Sequence, residues 1–292
     1  MATKAAAMAE RVAVMRANWN DFAVRFTETA NKRVTRQCAA QLHAHLQLET
    51  AHHVLEVAAG AGIGSLDALA YLTRGAQQDG QARTYAATDL APTMVQLAQE
   101  NLKSLEHPLV DVQVVEANGQ DLKEFATPTL RWARISRHCV NSSGRQASAS
   151  GDEFATFYNE TFYVEDEELR ARFTIWGRPE FTGMFAIDAA LTKELGMGDG
   201  GDHPNFAMGK DLPALREQFR AAGFSKVMIW PFLCVLELWS GDDFATFYNE
   251  TFYVEDEELR ARHFDVAKRM ADEWLAKGFP IGQETYLIVA RR

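Results

Sequence analysis

Cysteine is scarce in this chain. Cys38, Cys139 and Cys234 are the only three in 292 residues, and they form no C-x-x-C pair and no Cys/His cluster. A disulfide framework and a cysteine-based metal site are therefore not expected, and no metal is assigned. Long apolar runs are missing too. No stretch approaches the ~20 residues of a membrane span. The Ala-rich start, Met1–Arg16, carries Lys4, Glu10, Arg11 and Arg16 and lacks the apolar core of a secretory signal. The expected location is cytoplasmic, with organelle targeting left open. The glycosylation-type triplets at Asn141, Asn159 and Asn249 are then read as chance occurrences. Cations are in deficit: 30 Lys and Arg face 40 Asp and Glu, a net charge of −10. Such a surface repels phosphate backbones, so no nucleic-acid partner is expected.

What is present is an α/β pattern. The hydrophobic content of 47% is enough for one α/β core with a cap. Val54-Leu-Glu-Val-Ala-Ala-Gly-Ala-Gly-Ile-Gly64 reads as a buried strand, a tight turn and a helix start near Ser65. Gly60, Gly62 and Gly64 allow a ligand close to the backbone, and the helix start turns free N–H groups toward it. The spacing departs from the G-x-G-x-x-G of dinucleotide-binding folds. Thr84–Asp89 reads as a second strand ending in a carboxylate that can accept from two ribose hydroxyls, or cap the helix ahead of Pro92. A helix over Met94–Leu102 follows. Asp111–Leu122 reads as a third strand and a turn holding Asn118 and Gly119.

In this order the three segments resemble the first three motifs of the class I S-adenosylmethionine (SAM) dependent methyltransferases, of the ubiquinone/menaquinone type that acts on small molecules. The resemblance implies a Rossmann-like three-layer α/β sandwich. Its sheet would be seven-stranded and mostly parallel, with an antiparallel last strand, under an N-terminal helical cap. It implies SAM as cofactor, bound by Glu56, Ala58, Gly60, Gly62, Gly64, Asp89, Leu90, Asn118 and Gly119. Ala58–Gly64 would cradle the methionine part, and Glu56 would help hold the loop and the donor's amino group, directly or through water. Asp89 would bind the ribose, and Asn118 with Gly119 the adenine. The family often has Asp where this chain has Asn118, and an amide can still accept from the adenine amino group. Methyl transfer to a small-molecule acceptor is an in-line displacement that positioning can drive. No catalytic base is assigned. His43, His45 and His203 are candidates by location, and Arg178 could bind an acidic acceptor, but surface or packing roles are the commoner ones for such residues. The competing functions are an inactive SAM-fold binding module and a nucleotide-dependent oxidoreductase.

One domain, 1–292, is expected. Residues 1–47 form the cap, with helices over 8–47. Trp19, Phe22, Ala23 and Phe26 share one face, continued by Val34, Cys38, Leu42 and His45. Residues 50–125 form the SAM-binding half, and 173–292 the rest of the sheet. There the reading is a strand at Phe173–Gly177, a helix at Phe181–Leu195 and a loop at Gly196–Gly209 that would help cover the acceptor. A helix at Asp211–Gly223, a long strand at Val227–Trp239 and a last strand at Glu284–Ala290 complete it.

Residues 127–172 break the pattern. GDEFATFYNETFYVEDEELRAR at 151–172 recurs at 241–262, differing only in Glu153 against Asp243. Two copies 90 residues apart are not a solenoid. The second continues into an apolar stripe of Leu259, His263, Val266, Ala267, Met270 and Trp274, so it should be an ordered helical element. The first runs directly into a strand and should be helical at most locally and poorly packed. No strong apolar run supplies the expected fourth strand, and Leu130–Ile135 is the best available. The tract is therefore read as foreign to the fold, from a frameshift with duplication or a mis-assembled gene model. A genuine insertion is the alternative.

Overall fold

The computed structural model describes residues 4–105, 107–119, 162–165, 170–197, 206, 208–221, 224–252 and 254–291. Leu130–Ile135, His203 and most of 151–172 lie outside them.

The N-terminal region is one unbroken helical run rather than two helices. Helix α1 (Lys4–Phe26) passes through a π-helical segment, Thr27–Thr35, into α2 (Arg36–His43). No glycine or proline interrupts Lys4–His43, so nothing in the backbone enforces a break. Strand β1 (His53–Val57), helix α3 (Ile63–Asp79), strand β2 (Arg83–Asp89), helix α4 (Pro92–Leu102) and strand β3 (Val110–Glu116) follow at the positions read from the sequence. Pro92 opens α4, where its missing N–H has no partner to lose.

Beyond the gap come β4 (Phe162–Glu165), β5 (Arg170–Trp176), α5 (Gly183–Glu194), α6 (Leu212–Ala221) and β6 (Lys226–Val235). Then come α7 (Gly241–Thr251), α8 (Glu257–Ala276) and β7 (Gly282–Arg291). Strand β6 stops four residues short of Trp239 because its partner runs out: Val235 faces Gly282, where β7 starts.

The seven strands lie in the order β3-β2-β1-β4-β5-β7-β6. The pairs β1·β2 and β2·β3 are parallel. Every other ladder is antiparallel, because β7 and β4 both run against the rest. This corrects the expected sheet, in which only the last strand is reversed. The fourth place is also filled rather than missing. Leu55, Glu56 and Val57 pair with Val164, Tyr163 and Phe162. An inner strand such as β1 needs a partner on each edge, and four residues of the repeated tract supply the second.

The two copies thus fold differently. TFYVEDEELRAR contributes β4 and the start of β5 in the first copy, but a turn and the first helical turns of α8 in the second. The second copy is the ordered helical pair expected. Ser240 caps α7 by accepting from Asp243 N, and Asp256 caps α8 by accepting from Leu259 N at 2.7 Å. His263, Ala267 and Ala271 are its buried stripe. The residues on the C-terminal side of each copy make the difference. Behind the second copy an amphipathic run extends the helix. Behind the first, Phe173 and Ile175 are fully buried strand residues facing Phe219 and Phe224.

Two further clusters frame the site. One joins α3 to β1 and β2 through Leu69, Leu72, Val54 and Tyr85. The other packs Ala30, Val34 and Cys38 of the N-terminal run against α5, α7 and α8.

Candidate cofactor site

The site is built at the carboxyl end of β1. Ala58, Gly60 and Gly62 all have left-handed backbones, with φ of 58°, 56° and 74°, and residues 59 and 61 between them do not. The alternation folds the loop tightly, and Gly62 N donates back to Ala59 O at 3.0 Å. Gly62 is the cap residue of α3, and a Cβ there would lie 3.3 Å from that of Ala98. Ala58 pays a steric penalty at such an angle, a cost concentrated at functional sites. Ala59 N donates to Thr88 O at 2.9 Å, which ties the loop to β2. Gly64 is in the buried first turn of α3 rather than in the loop itself.

Asp89 ends β2 beside this loop. Its Oδ2 accepts from Gly60 N at 2.9 Å and its Oδ1 from Ala91 N at 2.9 Å. Each oxygen keeps a further lone pair. Burial pushes its pKa above the ordinary carboxylate value, against the backbone N–H groups of Ala91, Gly60 and Leu90. Leu90, half-buried, carries the chain from Asp89 into α4. Beyond the parallel neighbour β3, Asn118 is half-buried and Gly119 lies in a turn, where a Cβ would be 2.9 Å from Val57 Cγ1. The loop, Asp89, Asn118 and Gly119 therefore share one edge of three parallel strands.

Glu56 is placed differently. It is 1% exposed, and its carboxylate accepts from Ser65 Oγ and Tyr85 OH beneath the loop. That clasps β1, β2 and the start of α3, as expected of a loop-holding residue.

The N-terminal run is fastened across the same edge. Arg16 pairs with Glu116. Asn20 Oδ1 accepts from Thr93 N at 3.0 Å and from Thr93 Oγ1 at the start of α4. Trp19 and Phe26 meet edge-on, 5.2 Å between ring centres, and pack with Ala23, Ala61 and Met94. Gln37 joins both backbone groups of Val235, at 2.7 and 3.2 Å. Cys38 Sγ lies 2.9 Å from Cys234 Sγ.

The sequence reading missed Asn20 and Gln37. Their signal was polar residues on the run's buried stripe: Asn20, Thr27 and Asn31 recur at intervals of seven and four. The other candidates are accounted for by packing. His43 is buried, with Nδ1 2.6 Å from Asp67 Oδ2, and His45 meets Trp230 edge-on. Arg178 forms a two-pronged pair with Glu284, Nε and Nη2 both at 2.8 Å, and covers the Phe181 ring. Among the described residues, no group of three His, Cys, Asp or Glu side chains is arranged to hold a metal ion. No helix among them is long and apolar enough to cross a membrane.

No family model matches the chain, and no curated protein does. Solved structures do. A candidate methyltransferase from Bacillus halodurans C-125 is 14% identical, with 87% of this chain and 98% of that one covered and a TM-score of 0.46. A SAM-dependent methyltransferase from Thiobacillus denitrificans, solved with S-adenosyl-L-homocysteine, is 13% identical over 88% and 91%, with a TM-score of 0.37. Phosphoethanolamine N-methyltransferase 2 of Haemonchus contortus is 12% identical over 88% and 52%, with a TM-score of 0.41.

Proposed function

We propose that this protein binds SAM and transfers its methyl group to a small-molecule acceptor by in-line displacement. One observation carries the reading: the left-handed loop at the end of β1 is tied through Gly60 N to the Asp89 carboxylate at the end of β2. Strand order reverses about β1, with β2 on one side and β4 on the other. In open α/β sheets, ligands bind outside the carboxyl ends of strands at such a reversal.

The residues fit the group. The glycines let the methionine part approach the loop backbone closely, the remaining lone pairs of Asp89 suit a ribose diol, and Asn118 with Gly119 faces the adenine. When bound, SAM supplies an electrophilic methyl on a positive sulfur. The chain's contribution is to orient donor and acceptor and keep water out, work that proximity alone can make catalytic. The aromatic face of the N-terminal run, Trp19, Phe22 and Phe26, is the proposed cover of the acceptor, and the acidic surface favours a small molecule over a nucleic acid. The same reading assigns the chain to a single methyltransferase domain.

The second reading, an inactive SAM-fold binding protein, draws support from β4. It comes from the repeated tract and runs in reverse, where an intact fourth βα unit would shape the acceptor side. Calorimetric titration with S-adenosylhomocysteine and, separately, NADH tests binding. Turnover with an acceptor panel then separates enzyme from inert module. Binding of NADH alone would replace both readings with an oxidoreductase.

A further inference from the structure

Two cysteines 196 residues apart in sequence meet inside the fold. Cys38 lies on α2 of the N-terminal run and Cys234 on β6. Both are buried free thiols, with their Sγ atoms 2.9 Å apart. A disulfide holds its sulfurs about 2.0 Å apart, so closing one here asks for a movement of about 0.9 Å. The neighbouring residues hold the two segments in place for it. Gln37 Nε2 donates to Val235 O at 2.7 Å, and Gln37 Oε1 accepts from Val235 N at 3.2 Å. Thr285 Oγ1 of β7 lies 3.8 Å from Cys38 Sγ, and Val34, Leu236 and Leu238 belong to the same apolar cluster as the pair. A single buried cysteine is an inert apolar residue. Two in contact can react with each other.

The two thiols are not equivalent. The hydrogen bond from Cys234 holds the Cys38 thiol below its ordinary value, against burial. The same contact, together with burial, pushes Cys234 up. The thiolate is the reactive form, so Cys38 attacks first and Cys234 resolves. We propose that Cys38 and Cys234 form a reversible disulfide on exposure to a hydroperoxide, and that this bond staples the N-terminal run to β6. The Cys38 thiolate attacks the peroxide O–O bond and becomes a sulfenic acid. Hydroxide leaves and takes up the proton that the thiol gave off. The Cys234 sulfur then attacks the sulfenic sulfur, the S–S bond forms, and a second water departs with the Cys234 proton. The two thiols lose two electrons and two protons, and hydrogen peroxide is reduced to two waters. A dithiol reductant reverses the bond by exchange. Burial of both sulfurs selects an oxidant of about the size of water. The staple does not depend on which ligand the protein binds.

The test treats the folded, fully reduced full chain with excess hydrogen peroxide, alkylates the remaining thiols, and maps the digested peptides by mass spectrometry. The expected product is a peptide pair joined through Cys38 and Cys234, separated again by dithiothreitol. Cys139→Ser should give the same pair, since the bond is complete without Cys139. The oxidised protein should melt about 5 °C or more above the reduced one, because a cross-link across so long a loop restricts the unfolded chain strongly. Dithiothreitol should return the melting point to its reduced value, and Cys38→Ala should show no rise. If Cys38→Ala does not fold, the mapping of wild type and of Cys139→Ser decides alone. Recovery of Cys38 and Cys234 as free thiols overturns the proposal. So does their separate oxidation to sulfinic acids, or a bond from either to Cys139 or to a second chain. A mapped Cys38–Cys234 bond with no rise in melting overturns the staple.

Discussion

Asp89 holds Gly60 N and Ala91 N, and the proposed function gives it a ribose to bind as well. Asp89→Ala should weaken S-adenosylhomocysteine by about 1.5–3 kcal/mol in a calorimetric titration, since charge-assisted hydrogen bonds are lost. Unchanged affinity would remove Asp89 from the site. Gly62 is held at φ 74° against Ala98, so Gly62→Ala should lower unfolding stability by about 1–2 kcal/mol. Glu284 shows a pH effect of known sign. Burial pushes its pKa up, but the Arg178 pair outweighs this and holds it below the ordinary value of 4.5. Its contribution is therefore fully present above pH 4.5 and is lost as pH falls through the depressed value. Glu284→Gln should cost about 1–2 kcal/mol at pH 7 in urea unfolding, and the two proteins should converge in more acid solution. A gap that persists unchanged at pH 3 would contradict this. At this scale the glycine loop and Asp89 were legible, because a turn's chemistry is local. The Arg178–Glu284 and Glu56–Tyr85 pairs were not, since their members lie 106 and 29 residues apart and only the sheet brings them together.

At the scale of elements, β1, α3, β2, α4 and β3 were readable from hydrophobic period and turn signals. The repeated tract was not. Phe162–Glu165 is strand where its copy is a turn, and Arg170–Arg172 is strand where its copy is helix, so tertiary context overrode local propensity. This makes a paired test available. Val164→Pro removes an N–H from β4, a strand bonded on both edges, and should cost about 3 kcal/mol or more. Val254→Pro, at the matching position of the second copy, falls between α7 and α8, outside any regular element. It should cost clearly less. Equal losses on chemical denaturation would mean that the copies do not fold differently. The π segment was likewise invisible, since no glycine, proline or other local signal within residues 27–35 marks it.

For the whole molecule, the carboxyl ends of β1, β2 and β3 form one edge fastened to the N-terminal run, and the proposed function makes that edge the ligand site. The α/β class was legible because strand-like and helix-like runs alternate along the chain. The direction of β4 was not, because no local pattern tells a short inner strand which way to run. The acidic surface predicts that added RNA or DNA gives no salt-sensitive, submicromolar complex. The most direct measurement is calorimetric titration of the full chain with S-adenosylhomocysteine, with NADH as the parallel ligand. Saturable, one-to-one binding of S-adenosylhomocysteine and none of NADH is the predicted result. No binding of S-adenosylhomocysteine by the folded protein would contradict it.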